Sequence, residues 1–133
     1  MKNLILILLC LGCVFLVFYF SWLPNPDIGL KSYFPKWLGH WTNANPNLRT
    51  AVPFVFLGIL SEIWVCKHSN RIGKRFWILL LLGVIVTLAE VGQLYLPKRH
   101  FDWRDIAWGI TGSVVGVLIA VALSKVIQRY REF

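Results

Sequence analysis

Long uninterrupted apolar runs constrain this chain more than any other feature of its sequence. A run of about 20 apolar residues is long enough to cross the hydrocarbon core of a bilayer as an α-helix. Hydrophobic residues make up 57% of the 133 residues and charged residues only 15%, which leaves too little polar surface for a soluble domain. The sequence therefore predicts an all-α integral membrane protein with one domain over residues 1–133 and four transmembrane helices in an antiparallel bundle, at about residues 4–22, 49–66, 76–96 and 105–127.

The first apolar run has the position of a secretory signal peptide, but the residues at its end do not suit a signal-peptidase cleavage site. Bulky Phe18, Tyr19, Phe20 and Trp22 stand where a cleavage site needs small residues. A lipoprotein signal ending at Cys13 would leave an unusually apolar mature start. We therefore predict a retained helix.

The connection between the first two spans is rich in proline and aromatic residues. Four prolines exclude one continuous helix over residues 23–48. Apolar side chains nevertheless recur at helical spacing: Leu30, Phe34, Trp37, Leu38 and Trp41. A short helix on the membrane surface and an irregular loop with aromatic anchors explain this pattern equally well.

Basic residues lie mostly at the ends of the apolar runs, which accounts for the net charge of +8 without any nucleic-acid partner. The densest basic loop, residues 67–75, lies on the same side as both termini in a four-span topology. Cytoplasmic loops are enriched in Lys and Arg. We therefore predict a multi-pass protein with cytoplasmic N- and C-termini and bilayer lipid as its main partner. On that side, we expect Glu62 to lie near or pair with Lys67.

The residues between the third and fourth runs form the most unusual polar stretch. It contains Glu90, Gln93, Arg99, Asp102 and Asp105, and Glu90 lies inside an apolar run. Ionisable side chains at membrane depth are costly and usually functional. Because the hairpin is short, we expect the five side chains to form one binding cluster. Arg99 is the expected partner of Glu90.

Capping is the competing explanation for the two aspartates of this stretch. Asp102 is placed to cap the fourth helix, and Asp105 three residues later would complete a capping box. Beyond them, three glycines lie on one helix face: Gly109, Gly112 and Gly116. Such a seam lets another helix approach closely, and we expect that helix to be the third span.

The spacing Glu90-x2-Gln93-x5-Arg99-x2-Asp102-x2-Asp105, followed by Gly112 and Gly116, resembles the signature of the VanZ-like family. Gly109 departs from the pattern, since family members usually have Asn at that position. The resemblance covers the second half of the chain. It implies a small protein of the bacterial cytoplasmic membrane. The family is named for a teicoplanin-resistance protein, and its biochemical activity is not established.

Three hypotheses for function follow, in order of preference. In the first, the polar cluster binds an anionic lipid, a lipid-linked cell-wall precursor or the glycopeptide itself, and contributes to resistance. In the second, a buried ion-pair network stabilises the helices, with other membrane subunits as partners. In the third, the carboxylates of Glu90, Asp102 and Asp105 act as acid–base groups of an enzyme or hold a divalent metal. The three histidines are far apart in the sequence, and we predict no metal site and no cofactor.

Overall fold

The computed structural model describes residues 1–24, 27 and 32–132. This part of the chain is helical, without strands, and its five helices are α1 (Lys2–Ser21), α2 (Lys36–Ala44), α3 (Pro46–Val65), α4 (Arg71–Gln93) and α5 (Trp103–Arg131). All except α2 are long and apolar enough to cross a membrane. The prediction of an all-α protein with four candidate membrane spans is therefore confirmed.

The largest difference from a predicted boundary lies at the start of α4, five residues before the predicted span. Asn70 adopts a left-handed conformation with φ 54° and caps the helix, because its side chain accepts a hydrogen bond from the Gly73 amide. Asparagine tolerates this conformation better than most residues. The helix therefore begins inside the basic loop, which hydropathy alone assigns to a turn.

A short helix is present in the proline-rich connection. Pro35 is the N-cap of α2, and Gly39 and Thr42 are its buried residues. Pro35 has a φ of −58°, which suits entry into a helix. Leu30, part of the predicted helical pattern, lies outside the described residues, and Phe34 precedes the helix.

The core lies between α3, α4 and α5. Its buried cluster consists of Phe54 and Leu57 from α3, Leu82 and Val86 from α4, and Ile106 from α5. By contrast, α1 contributes no fully buried residue and packs along the outside of this group. Partly buried Cys13, Val14 and Val17 are the α1 residues that pack against the core.

The glycine seam of α5 packs mainly on α3, so the prediction that it packs on the third span is wrong for two of its glycines. A Cβ added to Gly112 would lie 3.2 Å from Ala51 Cα, and one added to Gly116 would lie 3.1 Å from Gly58 Cα. Only Gly109 faces α4, where it contacts Val86. Small residues on both partners explain the choice, since α3 supplies an alanine and a glycine that let the backbones approach.

Near the α3–α4 turn, Glu62 pairs with Arg75 and not with Lys67 as expected. Glu62 is 1% exposed, and Arg75 Nε donates to its Oε2 at 2.8 Å while Nη2 donates to Oε1. The Lys67 ammonium instead donates to Asn3 Oδ1 at 3.1 Å, which ties the start of α1 to this turn. Sequence distance misled the prediction, because Arg75 faces Glu62 across the turn after one helical turn of α4.

Candidate functional site

Glu90, near the end of α4, is held by neutral donors. It is 2% exposed, its Oε1 accepts from Gln93 Nε2 at 3.1 Å, and its Oε2 accepts from the Asp102 backbone N–H at 3.4 Å. Glu90 and Gln93 meet because residues three apart share a helix face. The contact with Asp102 closes the hairpin between α4 and α5 around the carboxylate.

Arg99 does not form the predicted pair with Glu90, and that prediction is wrong. Its Nε donates to the Leu23 carbonyl at 3.0 Å, and Nη2 donates to the Phe20 carbonyl at 3.1 Å. The last carbonyls of a helix lack intrahelical donors and carry partial negative charge, so they attract a cation. Arg99 therefore fastens the α4–α5 turn to the end of α1.

The Arg99 guanidinium is half-buried, and this has an electrostatic consequence. Burial, together with the nearby charge of Arg49, lowers the pKa of Arg99, while Glu90 and Asp105 oppose the shift. The two carboxylates thus act on Arg99 through space, without direct contact.

Ser21 and Trp22, at the end of α1, complete the network and were missed as site residues. Gln93 Nε2 donates to Ser21 Oγ at 2.8 Å, while Ser21 Oγ and Trp22 Nε1 donate to the Ala89 carbonyl at 3.2 and 3.1 Å. Gly92 makes room for the indole, since a Cβ there would lie 2.8 Å from Trp22 Cζ2. The sequence signal for this contact is the tryptophan at the end of the first apolar run.

The two aspartates have different roles. Asp102 is the N-cap of α5, because its side chain accepts from the Arg104 amide at 2.9 Å; the capping explanation is confirmed for this residue. Asp105 lies beside the Thr50 side chain of α3, and Arg49 is close enough to act on it electrostatically. The Asp102 N–H that a capping box would give to Asp105 is donated to Glu90 instead.

A cavity of about 330 Å³ extends from these groups along apolar residues of α1, α3 and α4. Four of the five predicted residues line it, namely Glu90, Gln93, Arg99 and Asp105, while exposed Asp102 does not. Ser21, Arg49 and Thr50 add polar groups, and apolar side chains form most of the remaining wall: Cys13, Leu16, Val17, Phe20, Val52, Pro53, Phe54, Phe56, Val86 and Ala89. The cavity is therefore amphipathic, with its polar groups where the ends of α1 and α4 meet.

The site contains positively and negatively charged side chains, and it offers both hydrogen-bond donors and acceptors. Among the described residues, no three His, Cys, Asp or Glu side chains are grouped so that they could hold a metal ion. A small set of polar groups in a mostly apolar cavity is typical of a site that orients a ligand.

Comparison of the chain with known protein families, with curated proteins and with solved structures found no match. The resemblance to the VanZ-like family accordingly depends on the five spaced polar residues and the glycines that follow them.

Proposed function

We propose that this chain is a VanZ-like protein of the bacterial cytoplasmic membrane that binds a polar or anionic component of the cell envelope and contributes to teicoplanin-type resistance. In this proposal α1, α3, α4 and α5 form an antiparallel bundle with both termini in the cytoplasm. The short helix α2 then lies at the outer interface. The observation that carries the proposal is the amphipathic cavity, with Glu90, Gln93, Arg99 and Asp105 in its wall.

The pairing of helix ends supports this arrangement. The end of α1 contacts the end of α4 through Ser21 and Gln93, whereas the start of α1 contacts the α3–α4 turn through Asn3 and Lys67. The polar end of the cavity and the basic loop thus lie at opposite ends of the bundle. If positive loops face the cytoplasm, the polar groups face the outside, where wall precursors and glycopeptides meet.

The size of the cavity narrows the class of ligand. A volume of about 330 Å³ is at the lower end of the range of roughly 300–1,000 Å³ for small-molecule sites. A whole glycopeptide is far larger than this. Arginine suits phosphate, because its planar fork of N–H donors matches the phosphate oxygens. A phosphate-bearing headgroup therefore fits the cavity better than the antibiotic does.

Adjacent cations allow a matched test of this proposal. The chain is expressed in a glycopeptide-susceptible bacterium, and the teicoplanin concentration that stops growth is measured for wild type, Arg99→Glu and Lys98→Glu. Lys98 is exposed and does not line the cavity, although it precedes Arg99 directly. We expect wild type and Lys98→Glu to raise the inhibitory concentration and Arg99→Glu to lose the effect.

Membrane levels of each variant are measured with a C-terminal tag, because Arg99→Glu also removes two contacts to α1. Arg99→Lys, which keeps the charge, should retain part of the resistance. A wild-type chain that leaves teicoplanin susceptibility unchanged at normal membrane levels would refute the proposal.

One observation favours a structural role as the second candidate. Within the described residues, every buried side-chain nitrogen or oxygen has a hydrogen-bond partner, so the network needs no ligand to be complete. If the network serves only stability, Glu90→Gln should lower the thermal unfolding temperature in detergent and reduce abundance. If it serves binding, the same variant should keep its stability and lose resistance.

A further inference from the structure

The wall of the cavity reaches the lipid-facing surface between α1 and α3. Leu16 of α1 is 49% exposed, and Val52 and Phe56 of α3 are 37% and 57% exposed, yet all three line the cavity. A side chain that lines a cavity and also faces the membrane marks an opening to the hydrocarbon. Because α1 has no fully buried residue, it leaves this side of the core incompletely covered.

The interior of the cavity is largely apolar and runs along α1. On α1 its wall extends from Cys13 to Ser21, a distance of about 12 Å at 1.5 Å per residue. Phe54 and Val86 form part of the interior and are each only 1% exposed. This length and polarity suit the upper part of a hydrocarbon chain.

The polar end of the cavity has hydrogen-bond donors that the protein's own contacts do not use. The Arg99 guanidinium has five N–H donors, and its contacts within the described residues use Nε and Nη2. Nη1 donates to no residue in that part of the chain. Both Glu90 oxygens, in contrast, already accept hydrogen bonds. Arg99 therefore keeps N–H donors on Nη1 with which it can bind a ligand in the cavity.

We propose that the cavity takes up one hydrocarbon chain of a phospholipid-like amphiphile, which enters sideways from the bilayer between α1 and α3, and that the phosphate of its headgroup binds Arg99. The proposal deepens the proposed function and rests on it for the biological role. The chain lies against Val17, Phe54 and Val86, and the headgroup lies at the interface where Gln93 and Arg99 end the cavity. A lipid and a lipid-linked wall precursor share this chemistry.

Photocrosslinking of the full chain in vesicles tests the proposal. The probe is phosphatidylglycerol with a diazirine and an alkyne in one acyl chain, mixed into phosphatidylethanolamine vesicles. After illumination, mass spectrometry maps the labelled residues. Bulk lipid cannot reach Phe54 or Val86, so label on these residues requires a chain inside the cavity. We expect label there in addition to the outer surface.

Two valines give a matched control for the entrance. Val52→Trp fills the opening, whereas Val84→Trp adds the same bulk to a 47% exposed position of α4 that does not line the cavity. We expect Val52→Trp to reduce interior labelling about tenfold, which corresponds to 1.4 kcal/mol of weaker occupancy. Val84→Trp should leave interior labelling unchanged. Equal labelling in the two variants, or label on outer residues alone, would overturn the proposal.

The headgroup is tested with a diacylglycerol probe that carries the same photoreactive chain but no phosphate. We expect it to label the interior about tenfold less than the phosphatidylglycerol probe, and Arg99→Gln to remove the difference. Equal labelling by both probes in wild type would overturn the role of phosphate. An undecaprenyl phosphate probe distinguishes the sources, since preferential labelling by it indicates a wall-precursor carrier.

These measurements use reconstituted protein and do not depend on any resistance phenotype. Interior labelling by a chain that leaves teicoplanin susceptibility unchanged would refute the proposed function alone. Resistance without interior labelling would refute the lipid site alone.

Discussion

Replacing Gly116 with alanine should force α3 and α5 apart. A Cβ at this position would lie 3.0 Å from the Val55 carbonyl carbon and 3.1 Å from Gly58 Cα, with the Val55 carbonyl oxygen closer still. These are backbone atoms, which cannot rotate away as a flexible side chain could. The contact is therefore relieved only by moving one helix relative to the other.

The expected magnitude follows from two opposing effects. Alanine is better than glycine in a helix by about 1 kcal/mol, whereas overpacking a tight contact costs about 1–3 kcal/mol. Gly116→Ala should therefore lower the free energy of unfolding by up to about 2 kcal/mol. Gly83→Ala is the control, because its Cβ would meet only Ile110 side-chain atoms, the nearest at 3.9 Å. It should be neutral or stabilising by up to about 1 kcal/mol.

The assay is reversible unfolding of the purified protein in mixed micelles with increasing sodium dodecyl sulfate, followed by tryptophan fluorescence. Gly116→Ala should lower the detergent concentration at the midpoint of unfolding. Gly83→Ala should raise this midpoint or leave it unchanged. A Gly116→Ala protein as stable as the Gly83→Ala protein would refute the close α3–α5 packing.

Three further predictions concern the two ends of the bundle. Arg75→Gln should lower the free energy of unfolding by about 1.5–3 kcal/mol, because its hydrogen bonds to the charged Glu62 are lost. In a double-mutant cycle, adding Glu62→Gln should recover part of this loss. If the effects of the two substitutions on stability simply add, the ion pair is contradicted. Arg99→Gln should speed hydrogen exchange at the end of α1 about tenfold, while Lys98→Gln should not, as measured by mass spectrometry. In a chain without its native cysteines, the Ser69→Cys variant should react with a membrane-impermeant maleimide only in inverted vesicles, because we predict that the basic loop faces the cytoplasm. Reaction in intact cells would show that the predicted topology is wrong.

Hydropathy predicted the class of fold well because a membrane span leaves a length signal in the sequence. The four spans were found within a few residues, except where Asn70 starts α4 early. Local geometry was equally accessible. Glu90 and Gln93 share a helix face as expected, and Asp102 caps α5, because both features depend on residues only a few positions apart.

Contacts between side chains of different helices could not be predicted from the sequence in the same way. The sequence does not show how each helix is rotated. Predictions from sequence distance are therefore wrong for two of the three seam glycines and for the partners of Glu62 and Arg99. Ser21 and Thr50 were missed for the same reason. A hydroxyl at the end of an apolar run gives no signal until the neighbouring helix is in place.

Native mass spectrometry on protein released from bacterial membranes tests the central claim, that the cavity holds a phosphate-bearing amphiphile. The number of lipids retained per chain is measured for wild type, Arg99→Gln and the matched Lys98→Gln. The account predicts one retained phosphate-bearing lipid in wild type and Lys98→Gln and its loss in Arg99→Gln, with all three proteins folded. Equal retention in the three proteins, or no retained lipid in wild type, would contradict it.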